Sequence, residues 1–209
     1  MDSIRLYSTA PSIKGPLSYE NNLQFKYNSA KNRTEIEWHK KKAIKYLKIL
    51  ADFGDIEAIK AYSMKLYNGD DIEQNVEEAV KYFKIGLEKG DTVSMYNYGI
   101  YLESNSENKE ISIRYFKKAA DKGYIKAINK LTNIYDNEER SSISKEEIVK
   151  YYKIGSEKGD ADSMYNYGIY LNSIGKTDLE LFKKSAEKGC VKAMVHLARI
   201  YDRGNGVPI

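Results

Sequence analysis

The chain has 209 residues, 42% hydrophobic and 31% charged, enough for one ordinary core or a short array of repeats. With one cysteine and a net charge of +4, it lacks both the disulfide density of a small secreted scaffold and the strong basicity of a dedicated nucleic-acid binder. The opening MDSIRLYSTAPSIKGP has no apolar run of signal-peptide type, and no stretch approaches the roughly 20 apolar residues of a spanning helix. A soluble, cytoplasmic protein without membrane insertion is expected, which leaves the sequon Asn32-Arg33-Thr34 without a glycosylation route.

Residues 1–34 contain Pro11, Pro16 and polar runs and match no later segment, so they are expected to be irregular or partly mobile. Residues 1–50 hold ten Lys/Arg against four Asp/Glu, whereas residues 51–209 are nearly balanced. Within the basic quarter, Lys40, Lys41, Lys42, Lys45 and Lys48 follow Trp38. That run reads either as a solvated helix face or as a surface for an acidic segment or nucleic acid.

From residue 35 onward the chain repeats itself. YFKIGLEKGDTVSMYNYGIYL (82–102) and YYKIGSEKGDADSMYNYGIYL (151–171) agree at 17 of 21 positions. Weaker copies run through 46–66, 115–135 and 181–201. Five glycines fix the register: Gly54, Gly90, Gly123, Gly159 and Gly189. The segment before each has apolar residues at helical spacing, such as Ala79, Tyr82, Phe83 and Leu87 in a helix over 76–89. Glycine then ends it, because the left-handed conformation that closes a helix is free of a Cβ penalty only for glycine. Lys89, Lys122, Lys158 and Lys188 fall in those last turns, where the helix dipole favours positive charge.

A second helix starts at once, with Asp55, Asp91 and Asp160 as its caps or first-turn acids. Ala58, Ser94, Ala127, Ser163 and Ala193 share one early position, where a small residue lets two helices approach. These second helices are expected to end near Asn68, Ser104, Asn137, Asn172 and Asp202. The loops that follow vary in length and composition and are expected to point away from the stack.

The set of motifs resembles the Sel-1-like repeat, a relative of the tetratricopeptide repeat. Tyr115-Phe116-Lys117-Lys118-Ala119-Ala120-Asp121-Lys122-Gly123 carries one helix signature, and Tyr98-Gly99 and Tyr167-Gly168 carry the core of the other. The loop motif survives intact as Gly204-Asn205-Gly206-Val207 and is degraded at Gly69-Asp70-Asp71-Ile72. The resemblance covers residues 35–209. It implies an all-α, right-handed superhelical solenoid of antiparallel helix pairs. It also implies a scaffold or adaptor that binds a protein or peptide on its inner, concave face. The alternative is a regulatory or targeting arm of a larger protein whose catalytic part lies elsewhere.

The last helix, about 191–202, lacks a following partner in the sequence, so either the array continues in a longer chain or this helix is a makeshift cap. Self-association through it stays open, because Val195, Ile200 and their neighbours should leave an apolar strip exposed.

No catalytic constellation stands out. His39 and His196 are too far apart in sequence and fold for a metal pair, Cys190 has no histidine beside it, and Gly204-Asn205-Gly206 follows no strand. No cofactor, metal or small-molecule substrate is expected, nor any enzymatic activity.

The sharpest candidates lie in one register of the helices after the glycines. Asn97, Lys130, Asn166 and His196 stand seven residues after their glycines, with Tyr101 and Tyr170 one turn further on. Asparagine is a poor helix former, so its reuse points to a partner or to the duplication itself. A side-chain amide can donate to and accept from an extended peptide backbone. A row that is polar and holds no acid also suits carboxylates, so an acidic peptide is one candidate partner.

Overall fold

The computed structural model describes residues 16–104, 108–137 and 142–202, with side chains from Thr34 onward. Among these residues there are ten helices and no strand: α1 Pro16–Asp52, α2 Ile56–Asn68, α3 Val76–Glu88, α4 Thr92–Glu103, α5 Lys109–Asp121, α6 Ile125–Asn137, α7 Lys145–Glu157, α8 Ala161–Ser173, α9 Leu179–Glu187 and α10 Val191–Asp202. Two compact units divide between Tyr46 and Leu47, inside α1.

Residues 16–34, which match no repeat, belong to α1. Pro16 is the first residue of α1. A proline there loses no helical hydrogen bond, and its fixed φ suits the first turn. Residues 1–15, and with them Pro11, lie outside the described residues, as does the intact loop motif at 204–207.

In the unit from Leu47, each helix from α2 to α10 packs on the next in chain order. One turn, made five times, sets that order. Gly54, Gly90, Gly123, Gly159 and Gly189 have φ of 86°, 75°, 78°, 85° and 92°. The amide of the residue after each glycine donates to the carbonyl five residues back: Asp55 to Leu50, Asp91 to Gly86, Tyr124 to Ala119, Asp160 to Gly155 and Cys190 to Ser185, at 2.9–3.1 Å. This is the closing bond of a Schellman ending. At three turns the same residue opens the next helix: the Asp55, Asp91 and Asp160 carboxylates accept from the amides of Ala58, Ser94 and Ser163 at 2.8, 2.7 and 2.9 Å. One aspartate therefore satisfies the end of one helix through its backbone and the start of the next through its side chain.

So short a turn forces the two helices together. A Cβ on Gly86 would lie 2.0 Å from Ser94 Oγ, and one on Gly155 would lie 2.1 Å from Ser163 Oγ. The small position of the following helix is buried in all five copies. The other face of that helix receives the next repeat. The Phe116 ring would be 2.6 Å from a Cβ on Gly99, and the Phe182 ring 3.0 Å from one on Gly168. The glycine of each Tyr-Gly pair is thus the socket for a phenylalanine of the following helix.

The core between α5, α6 and α7 is built from Phe116, Ala119, Ile128, Leu131, Ile148 and Tyr152. Ile143, from the polar loop before α7, is buried in it, so that loop does not point wholly outward.

The dipole-facing lysines do more than face a dipole. A Cβ on Gly54 would lie 3.0 Å from Lys89 Nζ, and Lys158 and Lys188 lie likewise over Gly123 and Gly159. Lys122 Nζ donates to the Gly90 carbonyl at 3.1 Å. Each lysine reaches across to the glycine of the repeat before its own.

Two substitutions test this frame. Gly90→Val should cost more than about 1 kcal/mol, because a β-branched side chain is strained at positive φ. Gly99→Ala should also destabilise, although alanine is the better helix former by about 1 kcal/mol, because the added methyl collides with Phe116. Urea denaturation followed by helicity reads both; a stabilised Gly99→Ala variant would contradict the socket.

Candidate functional site

The six candidate residues sit on four helices, all in the unit from Leu47. Asn97 and Tyr101 lie on α4, Lys130 on α6, Asn166 and Tyr170 on α8, and His196 on α10. All six are partly buried. Their shared register follows from the turn, since each helix starts at the same distance from its glycine.

The structure divides the row into two kinds of position. Among the described residues, neither the Asn97 nor the Asn166 amide has a hydrogen-bond partner. They are not ties between helices. Lys130 and His196, in contrast, are engaged. Lys130 Nζ pairs with Glu103 at 2.7 Å, joining α6 to the end of α4, and stands 5.9 Å over the Phe116 ring. His196 packs on Phe182, with centroids 4.4 Å apart and 36° between planes, and meets Tyr165 edge-on at 6.1 Å. Both cover the phenylalanine that the previous repeat received. Partial burial disfavours the imidazolium and pulls the His196 pKa down, and Arg199 adds to the shift.

The row is therefore less cationic than its residue types suggest. Glu103 was the residue that the sequence reading missed. It stands well beyond Asn97 on the same helix, and only the stacking of α6 beside α4 brings it to Lys130.

Tyr101 and Tyr170 are each half of a stacked pair. Tyr98 and Tyr101 lie with centroids 6.0 Å apart and planes at 27°; Tyr167 and Tyr170 lie 6.3 Å apart at 20°. Tyr115 meets Tyr98 edge-on at 4.9 Å, while its counterpart in α9 is Leu181. Each pair offers a broad, part-exposed aromatic surface one turn from an unpaired asparagine.

The other singled-out groups have structural partners. Lys48, at the end of the basic run, donates to Tyr82 at 3.0 Å and to Asp52 at 3.2 Å, and lies 3.6 Å from Glu78. Tyr82 in turn donates to Asp52. These bonds raise the Lys48 pKa and lower that of Asp52, the bond to Tyr82 being the largest cause in each case. Lys42 stands over the Trp38 ring at 4.5 Å, which fits a solvated face. Cys190 is buried with its thiol 3.4 Å from Asp162. Among the described residues, no three His, Cys, Asp or Glu side chains converge as metal ligands do, and no helix is long and apolar enough to cross a membrane.

A stack of helix pairs with one repeated surface register defines an α-solenoid repeat protein. The Sel1 repeat pattern matches residues 57–91, 92–124, 161–178, 179–190 and 191–209, together over half of the chain. The chain belongs to the Sel1 repeat family. Its fold is similar to that of a Sel1 repeat protein from Oxalobacter formigenes, with a TM-score of 0.62 at 23% identity over 79% of this chain and 71% of that one. It is also similar to a protective antigen of uropathogenic Escherichia coli strains with an SLR fold, with a TM-score of 0.61 at 20% identity over 83% of this chain. The match spans 41% of that antigen's length. The all-α solenoid expected from the sequence is borne out. Sel1 repeat proteins are generally protein–protein interaction scaffolds, and the fold is typically non-catalytic.

The histidine supplies a pH test. Its folded pKa is lowered, so the unfolded state takes up the proton more readily. The stability of this site is whole above the unfolded value of about 6.5 and is lost as pH falls through it. Between about pH 7.5 and about pH 5.5 the wild-type melting temperature should fall more than that of His196→Asn, which carries the residue of the preceding repeat. Equal slopes would show that His196 titrates as if unfolded.

Proposed function

We propose that this protein is an intracellular, non-catalytic adaptor that holds an extended peptide along the row marked by Asn97 and Asn166. The observation that carries the reading is the pair of unpartnered amides, in the same register of two repeats, each one turn from a stacked tyrosine pair. An amide can donate to a peptide carbonyl and accept from a peptide amide at once. Tyrosine adds contact area at low cost in conformational entropy. Of the two peptide features that the row suits, free backbone groups outrank carboxylates. Glu103 already neutralises Lys130, and burial keeps His196 from holding a charge. The partner is thus a protein segment read through its main chain, with apolar side chains against the tyrosines and no small-molecule substrate or nucleic acid involved. A single buried cysteine fits a reducing, cytoplasmic setting.

The double variant Asn97→Ala/Asn166→Ala tests the reading. Peptides selected on the wild-type protein from a display library should bind the variant at least about tenfold more weakly, or about 1.4 kcal/mol. Its helicity and melting temperature should be nearly unchanged, because no internal bond is lost and alanine favours helix. A variant that melts early while keeping full affinity would end the proposal.

A further inference from the structure

The exposed face of α10 has a counterpart inside the array. Val191, Met194, Val195 and Tyr201 are 68%, 45%, 45% and 43% exposed and line one side of the helix, while Ala193 is buried on the other. The sequence expectation of an exposed apolar strip here is met. By distance from the glycine, Met194 stands where α4 has Met95 and α8 has Met164, both buried. Ala198 stands where Gly99 and Gly168 receive Phe116 and Phe182. The strip is the surface on which every earlier repeat seats the helix that follows. A cavity of about 290 Å³ lies beside it, lined by Tyr165, Val191, Lys192, Val195, His196 and Arg199.

The complementary surface lies at the start of the same unit. Residues 47–52 are the end of a helix that leads into the first glycine turn, so they correspond to the helices that α4 and α8 seat. Ile49, Leu50 and Phe53 there are 38%, 50% and 87% exposed. Phe53 occupies the slot that holds Lys89, Lys122, Lys158 and Lys188 in the other copies. Each of those lysines lies over the glycine of the repeat before it, and of the five turn glycines only Gly189 has nothing within 4 Å among the described residues. An uncovered glycine and an uncovered aromatic residue in the covering slot form a matched pair. Charge agrees: Lys192 and Arg199 are exposed on α10, and Asp55 and Glu57 are exposed just past Phe53.

We propose that α10 is an interface for a second copy of this chain, which seats its Leu47–Gly54 end on the strip, head to tail, with its Phe53 over Gly189. The contact is heterologous, using two different patches, so it leaves one of each patch free and extends with concentration. Leu50 replaces the small residues Gly86, Ala119, Gly155 and Ser185 of the internal junctions. It holds the copies further apart than neighbouring repeats and makes the association reversible.

Sedimentation of the full chain from micromolar to near-millimolar concentration tests this, together with Val195→Asp and Phe53→Asp, whose helicity is checked first. The wild-type average mass should rise with concentration, and each variant alone should stay monomeric. An equimolar mixture of the two variants should form dimers and stop there, because Val195→Asp keeps a working Phe53 end and Phe53→Asp keeps a working α10. The proposal is overturned by a wild-type protein that stays monomeric throughout. It is equally overturned by association that Phe53→Asp does not affect, the mark of α10 pairing with α10, or by a mixture that fails to dimerise.

Discussion

The left-handed glycine turn is the constraint on which the rest of this structure depends. Helix, turn and helix share so few residues that one backbone amide closes the first helix while the same residue caps the second. Nothing in the turn can stretch. The two axes are therefore held at a separation that admits only hydrogen or a hydroxymethyl group at Gly86–Ser94 and Gly155–Ser163. At Gly99 and Gly168 the opposite face of the second helix then presents a glycine to the phenylalanine ring of the next repeat. Local backbone chemistry thus dictates the long-range stacking. The lysines before the glycines add a tie between repeats without adding a loop.

That dependence explains what could be read from the sequence. The turns, the aspartate caps and the small early positions are local, and five copies repeat the same signal. The helix ends near Asn68, Ser104 and Asn172 lie within one residue of expectation for the same reason. Features that need a third dimension were hidden. Lys130 finds Glu103 only because two helices lie side by side, and the lysines find the preceding glycines only because repeats stack. Ile143 sits in a run of polar loop residues, and its burial has no periodic signal around it. At Pro16 a general rule applies: proline breaks a helix from within but starts one well, and α1 begins on it.

For the candidate site, the register was legible and the chemistry only half so. Asn97, Lys130, Asn166 and His196 occupy one position of the frame, as counting from the glycines requires. Their states differ because the neighbours differ. Lys130 and His196 roof a buried phenylalanine, one through its ammonium and one through its ring. The asparagines are too short to reach the same ring contacts and keep their amides unpaired. Residue type alone gave a polar row without acids; packing ties up Lys130 and His196 and leaves the amides and the stacked tyrosines. In the function proposed above, a main chain would use this surface whatever its sequence, with selectivity from the side chains that meet the tyrosine pairs.

The most direct test of that account is an amide-resolved titration of isotope-labelled protein with a peptide that binds it. The side-chain amide resonances of Asn97 and Asn166 should move together, with the same midpoint, and the backbone signals of α4 and α8 near Tyr101 and Tyr170 should follow them. Shifts confined to α10, or to the basic run beside Trp38, with both asparagine amides unmoved, would contradict it.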